Sequence, residues 1–138
     1  MRTIVFGTFD ILHPGHKSFL RAAKKLGNHL IVVVARDKFV QKAKGKPPIN
    51  KERSRAVYLR KLAIADKVVL GSITHDWFRT LRTNKIDLIA LGYDQKPSMN
   101  QLKKQLRRHR LGKIKVVRLK SLRPEVYKSS KMASSDYS

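Results

Sequence analysis

The chain has 138 residues, enough for one domain with a sizeable core, and 41% of its residues are hydrophobic. It contains no cysteine, which excludes disulfides, thiol catalysis and cysteine-ligated zinc, and no apolar run is long enough to span a membrane. Thirty-two Lys and Arg against nine Asp and Glu give a formal net charge of +23. This charge favours an anionic partner, namely a nucleotide, a nucleic acid or an anionic membrane, and a lysine-rich surface that reflects compositional bias is the alternative. We expect a cytoplasmic protein with one domain over 1–132 and a short tail at 133–138.

Strands and helices are predicted to alternate along the chain. Five apolar, β-branched runs read as buried strands: 3–6, 30–35, 67–70, 87–91 and 114–119. Segments of helical period lie between and after them: 16–26, a helix with Asn50 as N-cap, 76–82, a helix patterned by Leu102, Leu106 and Leu111, and a last short helix near Ser129.

Local signals add detail to two of these helices. Gly27 and Asn28 are predicted to end the first helix in a left-handed cap. A flexible, polar and basic loop is predicted to follow the second strand and to run through 46–48, before the helix that begins at Asn50. That helix is predicted to bury an apolar stripe formed by Val57, Leu59, Leu62 and Ala63.

This alternation predicts a Rossmann-like α/β fold, a doubly wound five-stranded parallel sheet with helices on both faces. Such sheets bind ligands at the carboxyl ends of their strands, beside the point where the strand order reverses. The segment FGTFDILHPGH, residues 6–16, forms the first strand-to-helix turn and falls at this position.

The turn at 6–16 has the composition of a phosphate site. Gly7 lets the backbone approach a ligand, and the following helix offers free N–H groups and a positive dipole to an anion. His13 and His16 can both aim at the same oxygen atoms. Neither the dinucleotide fingerprint nor the P-loop pattern is present, and two histidines without a third ligand make a weak zinc site. A histidine pair that merely stabilises its turn is the alternative.

The HPGH sequence at 13–16 resembles the signature of the nucleotidyltransferase superfamily of adenylyl- and cytidylyltransferases. FGTFD at 6–10, ARD at 35–37 and SSK at 129–131 match other segments of that family in order and spacing. The segments at 31–37, 44–49 and 89–96 resemble archaeal-type FAD synthases, which are FMN adenylyltransferases, more than the glycerol-3-phosphate cytidylyltransferases that are the alternative.

The resemblance implies transfer of a nucleotide from ATP, or from CTP in the alternative, to a small phosphate-bearing acceptor, with FMN favoured. Mg²⁺ is expected on the substrate phosphates, without a set of protein ligands, and a homodimer is a family-level expectation. His13 and His16 match the catalytic histidines that stabilise the α-phosphate and the leaving β-phosphate. Lys44, in the predicted basic loop, matches a phosphate-contacting lysine that Lys42 or Lys46 could replace, and Arg55 matches the family arginine upstream of Asp66.

Further site residues follow from the same resemblance. The nucleotide-binding positions, besides the two histidines, are Phe6, Gly7, Thr8, Phe9, Gly92, Asp94, Ser129 and Ser130. Asp10 and Asp37 are placed on the acceptor side. Structural alternatives are a turn cap for Asp10, a loop cap for Asp94 and a solvated helix-surface position for Arg55. His75, Trp77 and Phe78 stack on a flavin or base in one interpretation and cover the sheet edge in the other.

Two other classes of function remain open from the sequence. A basic stripe favours nucleic-acid binding: Lys103, Lys104, Arg107, Arg108, Arg110 and Lys113. No base-reading module accompanies this stripe, so nucleic acid is not expected to be the primary partner. Lys128 stands where the family has the first hydroxyl residue of its second motif, which leaves a non-catalytic nucleotide binder as the third interpretation.

Overall fold

The computed structural model describes residues 1–72, 76–92 and 98–119. Its five strands are β1 (Arg2–Gly7), β2 (His29–Val34), β3 (Lys67–Leu70), β4 (Leu88–Leu91) and β5 (Lys115–Arg118). The helices are α1 (Pro14–Lys25), α2 (Asp37–Lys44), α3 (Glu52–Leu62), α4 (Trp77–Thr83) and α5 (Met99–Arg108). Strands and helices alternate as the sequence predicts over these ranges, with α2 as an additional helix, and the predicted last helix near Ser129 lies outside the described residues.

The five strands form one parallel sheet in the order β3-β2-β1-β4-β5. The chain builds outward from β1 through β2 to β3 and then crosses back to place β4 on the other side of β1. Thr3 lies opposite Leu30 on one side and opposite Leu88 on the other. The strand order therefore reverses between β1 and β4, and the predicted doubly wound fold is confirmed.

Alternate residues of each strand enter two separate cores. In β1, Val5 faces a core that α1 and α3 complete with Leu20 and Leu59. Its neighbour Ile4 faces the opposite core, to which α4 and α5 contribute. Because both faces are covered, β2 is apolar from Leu30 to Val34 and β4 from Leu88 to Leu91, which is the pattern that identified them in the sequence.

Two predicted helix caps are wrong. The first helix ends at Leu26 in ordinary right-handed geometry, and Gly27 is needed instead for close packing, since a Cβ there would lie 2.5 Å from the carbonyl oxygen of Met1. Lys51, not Asn50, is the N-cap of α3, and it makes no side-chain capping bond. The amide of Asn50 donates instead to the carbonyl of Asp10, at 2.6 Å.

The predicted apolar stripe of α3 also needs correction. Its buried residues are Arg55, Ala56 and Leu59, whereas Val57 is exposed. Ala63 lies beyond the helix as its left-handed C-cap, with a φ of 57°. A buried arginine occupies a position that hydrophobic patterning assigns to an apolar side chain. None of the helices within the described ranges is long and apolar enough to cross a membrane.

Candidate functional site

The turn after β1 folds an aromatic ring back over its own backbone. Phe9 has a φ of 51°, and its side chain is 3% exposed. A Cβ added at Gly7 would lie 2.6 Å from the Cε2 atom of this ring. The ring also meets His16 edge-on, with 5.6 Å between the centroids. Glycine at position 7 therefore lets Phe9 hold the ring of His16 from one side.

Replacing Gly7 by Ala is expected to destabilise the fold by about 1–3 kcal/mol, because the new methyl group displaces a buried ring. It should also displace the ring of His16, since Phe9 packs against that ring. Urea unfolding measures the first effect, with Gly71→Ala as the matched control because the nearest atom there, the oxygen of Val34, lies at 3.4 Å. Equal losses of unfolding free energy in Gly7→Ala and Gly71→Ala would contradict the close packing of Phe9 on Gly7.

His13 and His16 form a reciprocal capping box at the start of α1. His13 is the N-cap, and its Nδ1 accepts a hydrogen bond from the N–H of Gly15 at 3.0 Å. The Nδ1 of His16 accepts from the N–H of His13 at 3.3 Å. A neutral imidazole that accepts at Nδ1 carries its proton on Nε2, so both rings present Nε2–H donors.

One expectation about this helix start is wrong: its backbone N–H groups are not free for a ligand. Pro14 has no N–H, and Gly15 donates to His13. The N–H groups of His16 and Lys17 both donate to the carbonyl of His13, at 3.0 and 3.3 Å. The backbone N–H groups therefore serve acceptors within the turn, and the two imidazole rings lie at the positive end of the helix dipole.

The two rings lie together at the carboxyl end of β1. Their centroids are 3.9 Å apart, and the planes are inclined by 35°. His16 is completely buried, and the Nε2 atoms of both rings are buried. The structural and the functional interpretations of the histidine pair are thus compatible, because Nδ1 serves the turn while Nε2 carries the proton that a phosphate oxygen can accept.

This geometry predicts an acid-sensitive site. Burial lowers the pKa of His13 from its ordinary value of 6.5. As the pH falls, the unfolded chain therefore takes up this proton before the folded chain does. The stability that neutral His13 provides is present above about pH 6.5 and is lost as the pH falls through the lower pKa of the folded state. We expect the Tm of the wild type to fall more steeply than that of His13→Asn, whose side chain still caps the helix, between about pH 7.5 and pH 5. Tm values that fall equally with pH in the wild type and in His13→Asn would contradict the lowered pKa of His13.

Asp10 ties the turn after β1 to the loop before α3. Its two carboxylate oxygens accept hydrogen bonds from the backbone N–H groups of Ile49 and Asn50, each at 2.7 Å. The side chain is used to hold a distant loop, not to cap its own turn. Asp10 therefore fixes the 45–50 segment against the turn that carries His13.

Arg55 lies at the centre of the bonds that hold the site loops together. Its side chain is completely buried, so the solvated helix-surface alternative is wrong. It donates to the carbonyl of Thr8 at 2.7 Å, to the carbonyl of Asn50 at 3.0 Å and to the carboxylate of Asp37 at 2.7 Å. These bonds join the turn after β1, the loop before α3 and the start of α2.

A second ion pair extends this network to β3. Glu52 accepts from the guanidinium of Arg36 at 2.8 Å and from the N–H of Asp37 at 2.9 Å. Arg36 also donates to the carbonyl of Gly71 at 2.7 Å. Sequence reasoning did not identify Glu52 or this role of Arg36. The signal that could have found Glu52 is its residue type, because the chain has nine acidic residues against thirty-two basic ones.

The structure gives further information on several predicted nucleotide-binding positions. Thr8 is buried, and its carbonyl is held by Arg55. The carbonyl of Gly92, just past β4, accepts from Arg118 at 2.7 Å. Lys44 is the last residue of α2, so its predicted place in a flexible loop is wrong. Other predicted residues lie outside the described residues: His75, Asp94, Lys128, Ser129 and Ser130.

The aromatic residues after β3 pack against the protein. Trp77 meets Phe6 edge-on at 6.0 Å and stacks on Phe78 at 4.0 Å. Phe78 in turn stacks on His109 at 3.6 Å. Both Trp77 and Phe78 are partly buried against the core beneath α4 and α5. These contacts agree with the alternative in which Trp77 and Phe78 cover the sheet.

Comparison with known proteins defines the class. The model of the family described as cytidylyltransferase-like matches residues 4–135, and the chain belongs to this family of nucleotidyltransferases. The FAD synthase of Pyrococcus abyssi is 44% identical, over 98% of this chain and 88% of the relative. The FAD synthase of Aciduliprofundum boonei is 45% identical, over 87% of this chain and 78% of the relative.

A solved structure supports the same fold. The lipopolysaccharide core biosynthesis protein of Thermoplasma volcanium superposes with a TM-score of 0.81 at 38% identity, over 88% of this chain and 98% of that chain.

Proposed function

We propose that this protein is an FAD synthase, which joins ATP and FMN to give FAD and pyrophosphate. The observation that carries the proposal is the pair of Nε2–H donors of His13 and His16 at the switch point of the sheet. The curated relatives named FAD synthase cover nearly the whole chain, which supports FMN as acceptor over glycerol 3-phosphate.

The reaction needs positioning and charge neutralisation from the protein. A phosphate oxygen of FMN attacks the α-phosphorus of ATP in line, a new P–O bond forms, and the bond to the bridging oxygen breaks as pyrophosphate leaves. Charge grows on the α- and β-phosphate oxygens in this step. Two buried Nε2–H donors at the positive end of α1 stabilise that charge more in the transition state than in bound ATP.

The remaining site residues are proposed in two groups. Phe6, Gly7, Thr8 and Phe9 shape the turn that receives the nucleotide, and Gly92 and Asp94 meet its base or ribose. Lys44, Ser129 and Ser130 contact its phosphates. On the acceptor side, Asp10 and Asp37 act by fixing loops, since their carboxylates are already bonded to backbone and to Arg55. Arg55 is a positioning residue in this account, because its buried guanidinium holds three protein acceptors.

Magnesium is proposed to enter as part of the substrate, MgATP. Within the described residues, no group of three or more His, Asp or Glu could hold a metal ion. The ion is then held by phosphate oxygens and water, as is usual for nucleotide-bound Mg²⁺. We further propose that 1–132 is one nucleotidyltransferase domain and that the protein works in the cytoplasm as a homodimer.

The acceptor and the nucleotide are tested together. The purified protein with Mg²⁺ is incubated with ATP or CTP, each combined with FMN or glycerol 3-phosphate, and the products are separated by chromatography. FAD formed from ATP and FMN, with one pyrophosphate per FAD, is the expected result. CDP-glycerol as the sole product would replace the proposal with the cytidylyltransferase alternative, and no product in any combination would favour a non-catalytic nucleotide binder.

A further inference from the structure

A surface of exposed positive charge covers α5 and the turn that follows it. We call this the α5 basic surface, and it consists of six exposed residues: Lys103, Lys104, Arg107, Arg108, Arg110 and Lys113. Leu102 and Leu106 anchor the helix in the core. At 3.6 residues per turn, the four cations within the helix occupy an arc of about 140° on the side away from these leucines.

The acidic residues within the part of the chain that the structure describes form their bonds away from this surface. Each carboxylate within 1–72, 76–92 and 98–119 accepts a hydrogen bond elsewhere in the fold: Asp10, Asp37, Glu52, Asp66, Asp76 and Asp87. Over the same ranges, the ion pairs join lysine or arginine residues of α1, α3 and the loop before α2 to acids, and none involves α5. The charge of the α5 basic surface therefore faces solvent.

Helix stability does not account for this pattern. Cations in a last turn stabilise a helix through its dipole, and that reason covers Arg107 and Arg108 only. Lys103 with Arg107, and Lys104 with Arg108, are like-charged pairs at i and i+4, which destabilise a helix. The sequence retains an arrangement that weakens α5, and an anionic partner explains it.

The surface is distant from the catalytic turn in the topology of the sheet. α5 begins after the carboxyl end of β4, and Arg107 to Lys113 lead back to the start of β5 at Lys115. HPGH lies at the carboxyl end of β1, the central strand, and therefore at the opposite end of the parallel strands. A large partner on Arg107 to Lys113 would therefore leave the active site accessible.

We propose that the α5 basic surface binds the phosphate backbone of RNA without sequence preference. Six exposed cations within eleven residues provide charge that can contact successive phosphates of a strand. A membrane would also require apolar side chains that insert. Within the described ranges, the large exposed hydrophobic residues lie elsewhere, at Met1, Ile49, Val57 and Tyr58.

The test measures binding of a fluorescein-labelled single-stranded RNA of about 20 nucleotides by anisotropy across a salt series, where each phosphate contact contributes a slope of about 0.7. The variant is R107Q/R108Q/K113Q. The matched control is R21Q/R53Q/K61Q, which removes the same charges from exposed positions on α1 and α3. We expect the α5 variant to flatten the slope of log Kobs against log salt by about 2 and the control to retain the wild-type slope.

Three results would overturn the proposal. Equal loss of RNA binding in the two variants would show that the net charge, not this surface, attracts RNA. A wild-type Kd in the millimolar range at physiological salt would exclude a binding role. Sedimentation with phosphatidylglycerol vesicles, without measurable RNA binding, would reassign the surface to a membrane. FAD formation is measured in the same samples and should be unchanged in R107Q/R108Q/K113Q, so failure here is distinct from failure of the proposed function.

Discussion

Replacing His16 by Asn is expected to lower kcat for FAD formation by at least about 100-fold, the usual cost of removing one donor to a developing oxyanion. The Oδ1 of Asn occupies the place of Nδ1, so it can accept the N–H of His13 and keep the capping box. No donor then stands at the position of Nε2. The rate loss therefore reports the Nε2–H group and not the loss of the turn.

His13→Asn gives the second arm of this experiment. Asparagine is among the best N-cap residues, so the bond from Gly15 is retained while the second Nε2–H is lost. Stopped assays give kcat, and thermal unfolding serves as the control for folding. Either variant that retains the wild-type kcat would contradict the mechanism. If a variant loses rate and is also unfolded at the assay temperature, its kcat is measured again below the midpoint of its thermal unfolding.

Replacing Arg55 by Ala is expected to be the most destabilising change among those considered, at about 3 kcal/mol. Three acceptors lose their donor at once: the carbonyls of Thr8 and Asn50 and the carboxylate of Asp37. The side chain of Asp37 is 36% exposed, so water reaches its charge and keeps the loss at the lower end of the range for broken buried pairs.

Urea unfolding measures the effect of Arg55→Ala, with Arg53→Ala as control. Arg53 lies on the same helix and is exposed, so its loss should change the free energy of unfolding by less than about 0.5 kcal/mol. Arg55→Lys should recover only part of the stability, because an ammonium cannot reproduce the fork geometry that reaches three acceptors. Equal stability of the Arg55→Ala and Arg53→Ala variants would contradict the network.

Hydrophobic periodicity was sufficient to predict the sheet because both faces of its central strands are covered. The run at 30–35 contains no polar residue, and β2 occupies this segment in the structure. The same reasoning missed α2, in which Val40 is the single buried residue. The ends of this helix are held by a hydrogen bond from the N–H of Asp37 to the carboxylate of Glu52 and by the left-handed C-cap at Gly45. Neither interaction produces a hydrophobic pattern in the sequence.

The sequence singled out the residues of the turn after β1 but not the bonds between them. It placed His13 and His16 together after the first strand, yet their capping box requires side-chain geometry that spacing does not provide. Arg55 shows the same limit, because a charged residue is assigned to the surface unless its acceptors are known. Those acceptors come from Thr8, Asp37 and Asn50, which are brought together by the fold and not by sequence proximity.

We infer that AMP passes directly from ATP to FMN at the histidine pair. ATP radiolabelled at the α-phosphorus tests this direct transfer in one measurement. The protein is mixed in excess over labelled MgATP and FMN, quenched in acid through a single turnover, and the label is followed in nucleotide and protein fractions. We expect label to pass from ATP to FAD, none to become covalently attached to protein at any time, and the double variant His13→Asn/His16→Asn to transfer none on the same timescale. Label bound to the protein before FAD appears, or unchanged transfer by the double variant, would contradict it.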